Sequence, residues 1–415
     1  MSSNSGSPKR PAFVAPLVTF ALLIAVEIIC RFTVAPSRLE KILAILERDP
    51  VLIWRLRANL ETVFENQPVR TGAQNLRGAT FAVPKPAGVF RVVALGASPT
   101  FGWGVPEADA YPAWAQSVLA GRGVEAEVIN GGTPGYTTWQ GVRRLRDHVL
   151  GWSPDVVTVA YDLNDLDRFR FFNNDGRVDA EQKPDAPARV SIQNALNRSA
   201  AYGLFRRGLL RAASRQGAFD PEAMPRRVPL AHYRANLLEI DRICRENGIA
   251  LVYLKMPINL PFHRLTVIDP VEAADEKRRG DEARAEGDWP RALTHYRDAQ
   301  RLDPTVVATY QALLDAQRHE GLDAEADKTE DLIPFVAAFR DRADLEYNRA
   351  VEEIAHETNR PLVDVVAAFD ADGRGDGLWN SVEDPFHPNA AGHHIIGELV
   401  AGRIEPIARE REARR

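Results

Sequence analysis

The sequence predicts an α/β fold: a three-layer sandwich with a five-stranded parallel sheet, an apolar helix before it and a helical insertion within it. Short runs rich in Val, Leu and Ile recur along the chain as RVVALG (91–96), AEVING (126–131), DVVTVAY (155–161), IALVYLKM (249–256) and PLVDVV (361–366). Helix-like segments lie between and after them, at 111–120, 137–150, 231–246, 345–358 and 390–411. Apolar strands without polar alternation, separated by helices, indicate a parallel sheet covered on both faces. In such sheets ligands bind beyond the C-terminal strand ends, so the residues just after each run are where chemistry is sought.

A chain of 415 residues is longer than one typical domain, and 45% hydrophobic with 26% charged residues supports a real core. The net charge of −5, with Lys and Arg spread throughout, excludes the basic stripe of a nucleic-acid binder. Two cysteines, Cys30 and Cys244, imply no disulfide framework. Near the N-terminus, residues 11–34 are apolar and long enough to cross a ~30 Å hydrocarbon core as a helix. Glu27 sits toward one end of that helix, within reach of the interface. No small-residue cleavage motif follows, which favours an uncleaved signal anchor. Lys9 and Arg10 place the tail 1–10 in the cytoplasm and the large domain outside, in the periplasm of a bacterium.

Residues 35–87 read as a connecting region, opening with the amphipathic SRLEKILAILERD and ending in VPKPAG. The α/β unit then occupies 88–270 and 333–415, split by a charged helical insertion at 271–332. Within the insertion, Gly280, Gly287, Asp288, Trp289, Ala292, Tyr296, Ala299 and Pro304 have the spacing of a tetratricopeptide repeat, which the segment resembles. Small alanines let paired helices approach while Tyr and Leu fill the seam. A single copy is expected to lean on the main domain. It is equally readable as a docking site for a protein partner or as a plain helical hairpin. The segment 168–228 is rich in Arg and contains LNRSAAYGLFRRGLLRAAS. A helix of this kind touches lipid headgroups or packs its Leu/Phe side on the core, and the second is the expectation.

Ser98 follows the first predicted strand directly, in VVALGASPTFGWGV. A serine hydroxyl needs a base within hydrogen-bond reach to act as a nucleophile. DPFHPNAAGH supplies one candidate: Asp384, three residues before His387, can fix the imidazole tautomer while the far nitrogen faces the serine. Singly, each residue is also readable as a turn serine, a loop histidine or a strand-end asparagine. Together, and in order, they resemble the SGNH (GDSL-like) hydrolase family over 88–261 and 335–407. Ser98 matches its first block, and NGGTPGYTTWQG matches the second through Asn130, Gly131, Gly132 and Gly135. Asn164 in AYDLNDL matches the third, and Asp384 with His387 the last.

The resemblance implies a flavodoxin-like SGNH fold and an acyl-enzyme on Ser98. It also implies an oxyanion hole made of the Ser98 and Gly135 N–H groups and the Asn164 amide. The substrate it implies is an acylated small molecule, glycan or lipid, with no cofactor. Two positions depart from the family: Ala97 stands where aspartate is usual, and Asp162 where glycine is. A carboxylate at 162 would oppose an oxyanion if it pointed inward. Two alternatives stay open: a catalytically weakened interaction scaffold, and an O-acyltransferase using the same residues. No metal motif stands out among the nine histidines. His393 and His394 are adjacent on a helix and face different sides.

Overall fold

The computed structural model describes residues 14–414 except 169, 173–175, 215–223, 260–267, 342, 382 and 383. The expected tail 1–10 and the first anchor residues, 11–13, lie outside the described residues. The described chain opens with α1 (Val14–Thr33), α2 (Arg38–Ile45) and two hairpins, β1–β2 (Leu46–Asp49, Ile53–Leu56) and β3–β4 (Glu61–Phe64, Gln67–Arg70). The main body follows as β5 (Phe90–Gly96), α3 (Ser98–Phe101), α4 (Tyr111–Gly121), β6 (Ala126–Gly132), α5 (Thr138–Asp147) and β7 (Val156–Ala160). Next come α6 (Leu163–Leu166), α7 (Pro187–Leu196), α8 (Ala200–Ser214), α9 (Leu230–Glu246) and β8 (Ala250–Lys255). The insertion contributes α10 (Pro270–Ala285), α11 (Trp289–Leu302), α12 (Val307–His319) and α13 (Asp323–Phe339). The chain closes with α14 (Ala343–Glu357), β9 (Leu362–Asp364), α15 (Val365–Asp372), the pair β10–β11 (Trp379–Ser381, Asp384–Pro388) and α16 (Ala390–Ala413).

The five expected strands form one parallel sheet in the order β6-β5-β7-β8-β9. Their side chains divide between two cores, as the two-residue strand period requires. Val93, Leu95, Val157, Val159, Leu251 and Tyr253 pack under α5, α9 and α14, while Val92, Ala94, Val156, Val252 and Leu254 pack under α4 and α16. This is the expected three-layer sandwich. PLVDVV is not one strand: β9 ends at Asp364, whose carboxylate accepts the Ala367 N–H and starts α15. An Asp cap satisfies an orphan donor of the first turn and turns the chain out of the sheet.

Residues 35–87 do more than connect. Ser37 and Glu40 form a reciprocal capping box on α2, and Ile42, Leu43, Ile45, Leu46, Trp54 and Leu56 are buried in the main core. Fully burying a side chain of this size contributes about 1.5–3 kcal/mol, so the segment is a structural part of the domain.

In the insertion, a Cβ on Gly280 would lie 2.5 Å from the Tyr296 ring, so only glycine lets α10 and α11 approach this closely. Ala283, Ala292, Tyr296, Ala312 and Leu313 make a small separate core, while Val307 and Tyr310 join the main one. The helical unit therefore leans on the sheet domain.

The expectation for α8 is corrected: Leu204, Phe205 and Leu209 are 45%, 62% and 56% exposed rather than packed on the core. The N-terminus of α8 is held instead by α1. Glu27 of α1 accepts hydrogen bonds from the Ser199 hydroxyl (2.7 Å) and from the N–H groups of Ala200 and Ala201 (3.0 and 3.1 Å), at the α8 N-terminus. Helix α1 is apolar and long enough to cross a bilayer, and its large side chains are mostly exposed.

Candidate active site

Strand β5 is buried along its whole length and stops at Gly96, and Pro99 in the first turn of α3 starts a short helix there. Ser98 is thereby held at the C-terminal mouth of the sheet, half-buried. Its hydroxyl lies 2.8 Å from His387 Nε2. His387 Nδ1 lies 2.8 and 2.9 Å from the two Asp384 carboxylate oxygens. With Nδ1–H donating to Asp384, Nε2 is free to accept the serine proton. Burial alone would raise the Asp384 carboxyl. The adjacent imidazole, with the Phe386 and His387 N–H groups donating to it, outweighs burial and holds it below the usual carboxylate range. Asn389 anchors this loop by donating to the Gly377 and Trp379 carbonyls while capping α16.

Gly135 and Asn164 meet beside the same strand ends. The Thr133 N–H donates to the Gly96 carbonyl, which binds the 133–137 loop to the end of β5. Asn164 Nδ2 donates to the carbonyl of Tyr136, leaving its second N–H for a ligand. Gly135 has φ +78°, and a Cβ there would lie 2.6 Å from Phe171, so both backbone shape and space demand glycine. Buried Arg227 donates to the Gly135 carbonyl at 2.8 Å and pairs with buried Asp179, fixing the loop from behind. Asp165 accepts the Thr138 N–H and hydroxyl, joining the Asn164 turn to the start of α5.

The two departures have local explanations. Ala97 is buried and its methyl group has no donor or acceptor, so it cannot organise hydrogen bonds around Ser98 as an aspartate would. Arg77 does so from the other side. Only 3% exposed, it donates to the carbonyls of Phe101, Gly102 and Val105 at 2.8, 2.6 and 2.8 Å. Burial lowers this guanidinium to about 10, so it stays charged at neutral pH. Arg77→Met is expected to lower stability by about 3 kcal/mol, because buried carbonyls lose a charged donor. Thermal melting checks this, and kcat should fall as the serine turn loosens.

The Asp162 carboxylate is buried and caps α6, accepting the Leu163 N–H and that of Met256. Burial pushes it up to about 7, and Asp344 adds repulsion. A raised carboxyl binds its proton more tightly folded than unfolded, so its contribution is full below about pH 4 and lost as pH rises through 7. Asp162→Asn should therefore stabilise the protein at pH 8 relative to pH 4, by ~4 kcal/mol at most, read from melting across that range.

Trp103 escaped the sequence reading. Its indole stacks on the His387 ring with centroids 4.9 Å apart and planes at 11°, and Phe64 meets it edge-on. An aromatic residue just beyond the serine was the available signal. Arg77 and Arg227 had none. His393 is buried with Nδ1 accepting the Tyr111 N–H, whereas His394 faces Asp109 and Trp114.

A cavity of about 830 Å³ opens on His387 and Asp384 and extends past Trp103 and Phe335 to Lys41 and Arg207. Helix α13 forms one wall through Lys328, Leu332 and Phe335. The root of α1, at Ala35 and Pro36, forms another.

Residues 94–395, well over half the chain, match the model of the GDSL-like lipase/acylhydrolase family. The chain belongs to that family. It is a hydrolase acting on ester bonds. No curated protein matches it. Among solved structures, a lipase/acylhydrolase from Enterococcus faecalis is 15% identical, with 77% of this chain and 96% of that chain covered and a TM-score of 0.38. A catalytic mutant of an acetylxylan esterase from Geobacillus stearothermophilus is 16% identical, covering 77% and 96%, with a TM-score of 0.39. At that level of similarity, membership of the GDSL-like family rests on the family match rather than on these neighbours.

Proposed function

We propose that this GDSL-like hydrolase is a membrane-anchored, extracytoplasmic esterase that removes acyl groups from a cell-surface glycan or lipid through an acyl-enzyme on Ser98. The observation that carries the reading is the continuous chain from Ser98 Oγ to His387 Nε2 and from His387 Nδ1 to Asp384, with separations of 2.8 Å at both steps. His387 takes the serine proton as Oγ attacks the ester carbonyl. The oxyanion is met by the N–H groups of Ser98 and Gly135 and by the Asn164 amide. Asp384 holds the imidazole and stabilises its charged form, and His387 then protonates the leaving alcohol. Water deprotonated by the same histidine releases the acid.

The anchor is α1, and Lys9 and Arg10 before it orient the enzyme outward. Acyl esters of surface glycans and lipids are the substrates within reach of an enzyme so tethered. The test is the full chain in detergent, treated with a fluorophosphonate probe and with p-nitrophenyl acetate. Labelling of Ser98, located by peptide mass, together with turnover supports the reading. A folded protein that neither labels nor turns over would shift the assignment to an interaction scaffold.

A further inference from the structure

Leu204, Phe205 and Leu209 of α8 have no protein covering them among the described residues, and they lie beside α1, which is long and apolar enough to cross a bilayer. The Glu27 carboxylate and Arg31 of α1 hold the start of α8: Glu27 through three hydrogen bonds, and Arg31 by donating to the Arg198 carbonyl at 2.9 Å. At 1.5 Å per residue, Glu27 stands ~9 Å before the end of α1 at Thr33. That depth is the headgroup and upper acyl region, where interfacial helices bury their apolar sides by ~5–10 Å. Glu27 is also satisfied there, since an unpaired acid in an apolar span is costly.

Around this point Leu204, Phe205 and Leu209 are exposed on α8, and Ile192 is 62% exposed on the neighbouring α7. Arg206 and Arg207 leave α8 in another direction. Arg207 donates to the Ala35 carbonyl just past α1, and both arginines approach Glu40. The same two arginines, with Ala35 and Pro36, line the cavity that opens on His387. The cavity therefore begins at the root of α1.

We propose that α8 lies in the bilayer interface with Leu204, Phe205 and Leu209 immersed, and that the cavity takes its acyl ester from a membrane-borne amphiphile at headgroup level. The proposal rests on the anchoring and Ser98 chemistry proposed above. Continuity of the exposed apolar surface from α1 to Leu204, Phe205 and Leu209 of α8 selects a lipid surface as the occupant. Leu345 on α14, 49% exposed, is the control position.

The experiment uses the full chain reconstituted into vesicles of phosphatidylcholine and phosphatidylglycerol. An environment-sensitive fluorophore is placed at Phe205→Cys, Leu209→Cys or, as control, Leu345→Cys; the native Cys30 and Cys244 are buried. Emission at 205 and 209 should shift to the blue and be quenched by nitroxide-labelled lipid, while the signal at 345 stays that of water. A water-like signal at 205 and 209 overturns the proposal.

In the second arm, the double variant Phe205→Glu, Leu209→Glu is assayed on an acyl ester embedded in the vesicles and on p-nitrophenyl acetate. Turnover of the embedded ester should fall about tenfold or more, with the soluble ester unaffected. Equal turnover of the embedded ester by variant and wild type refutes the membrane-borne substrate. Wild type inert toward both esters counts against the Ser98 reading, and fluorophore immersion still decides where α8 lies.

Discussion

Ser98→Ala is expected to abolish fluorophosphonate labelling and to lower kcat for p-nitrophenyl acetate by about 10⁵-fold or more. The size of the effect follows from how the site works as a unit. Once Oγ is removed, His387 has no proton to accept, and the acyl group has nowhere to form a covalent bond. Any remaining rate comes from binding and from the oxyanion donors. KM should change little, since the cavity walls at Trp103 and Phe335 are untouched. His387→Ala should cost about as much, and the double variant no more than either alone, because serine and histidine act in one step. A double variant with the product of the two losses would show that the residues act separately, against the 2.8 Å contact between them.

If Asn164 fills the proposed oxyanion-hole role, Asn164→Ala should lower kcat by about 10²–10³-fold with a small change in KM, because in that role the amide meets charge that develops only in the transition state. Asn164→Asp should be worse than alanine. It keeps the side-chain shape but sets a negative charge where the oxyanion forms. A structural loss alone would not rank the two variants this way, since both lose the hydrogen bond to the Tyr136 carbonyl. Kinetics on one soluble ester, with melting temperatures to account for folding, make the comparison. Equal losses from both variants would remove Asn164 from the oxyanion hole.

Much of the architecture was legible because local and global signals agree. The runs containing Val92–Leu95, Val156–Ala160 and Leu251–Leu254 are apolar at consecutive positions apart from Thr158, which only a strand buried on both faces tolerates. From the sequence PLVDVV reads as a single strand because Val365 and Val366 continue the apolar run. Asp364 ends it as a helix cap, a role visible only once its carboxylate is seen to accept the Ala367 N–H. The hairpins between 46 and 70 were missed for a different reason: strands of four residues carry too little periodicity to stand out. Arg77 illustrates the general limit. Nothing near it in sequence says that it reaches the carbonyls of Phe101, Gly102 and Val105, because those partners are brought to it by the fold.

The sequence by itself determined the α/β class, the strand order of chemistry along the chain, and the candidates Ser98, Gly135, Asn164, Asp384 and His387. Ser98 is marked by the strand end it follows, and Asp384 with His387 by their spacing just before a helix, whereas Gly135 and Asn164 are implied by the resemblance of their blocks to the family. Only the tertiary structure decided how they meet. It set the distance between Ser98 and His387, which lie 289 positions apart, and it placed Trp103 against the imidazole. It directed the Asp162 carboxylate toward Leu163 and Met256. Among the described residues, it also left Leu204, Phe205 and Leu209 of α8 exposed beside α1. Amphipathicity says that a helix has an apolar side, but whether protein covers that side depends on what the rest of the chain packs against it.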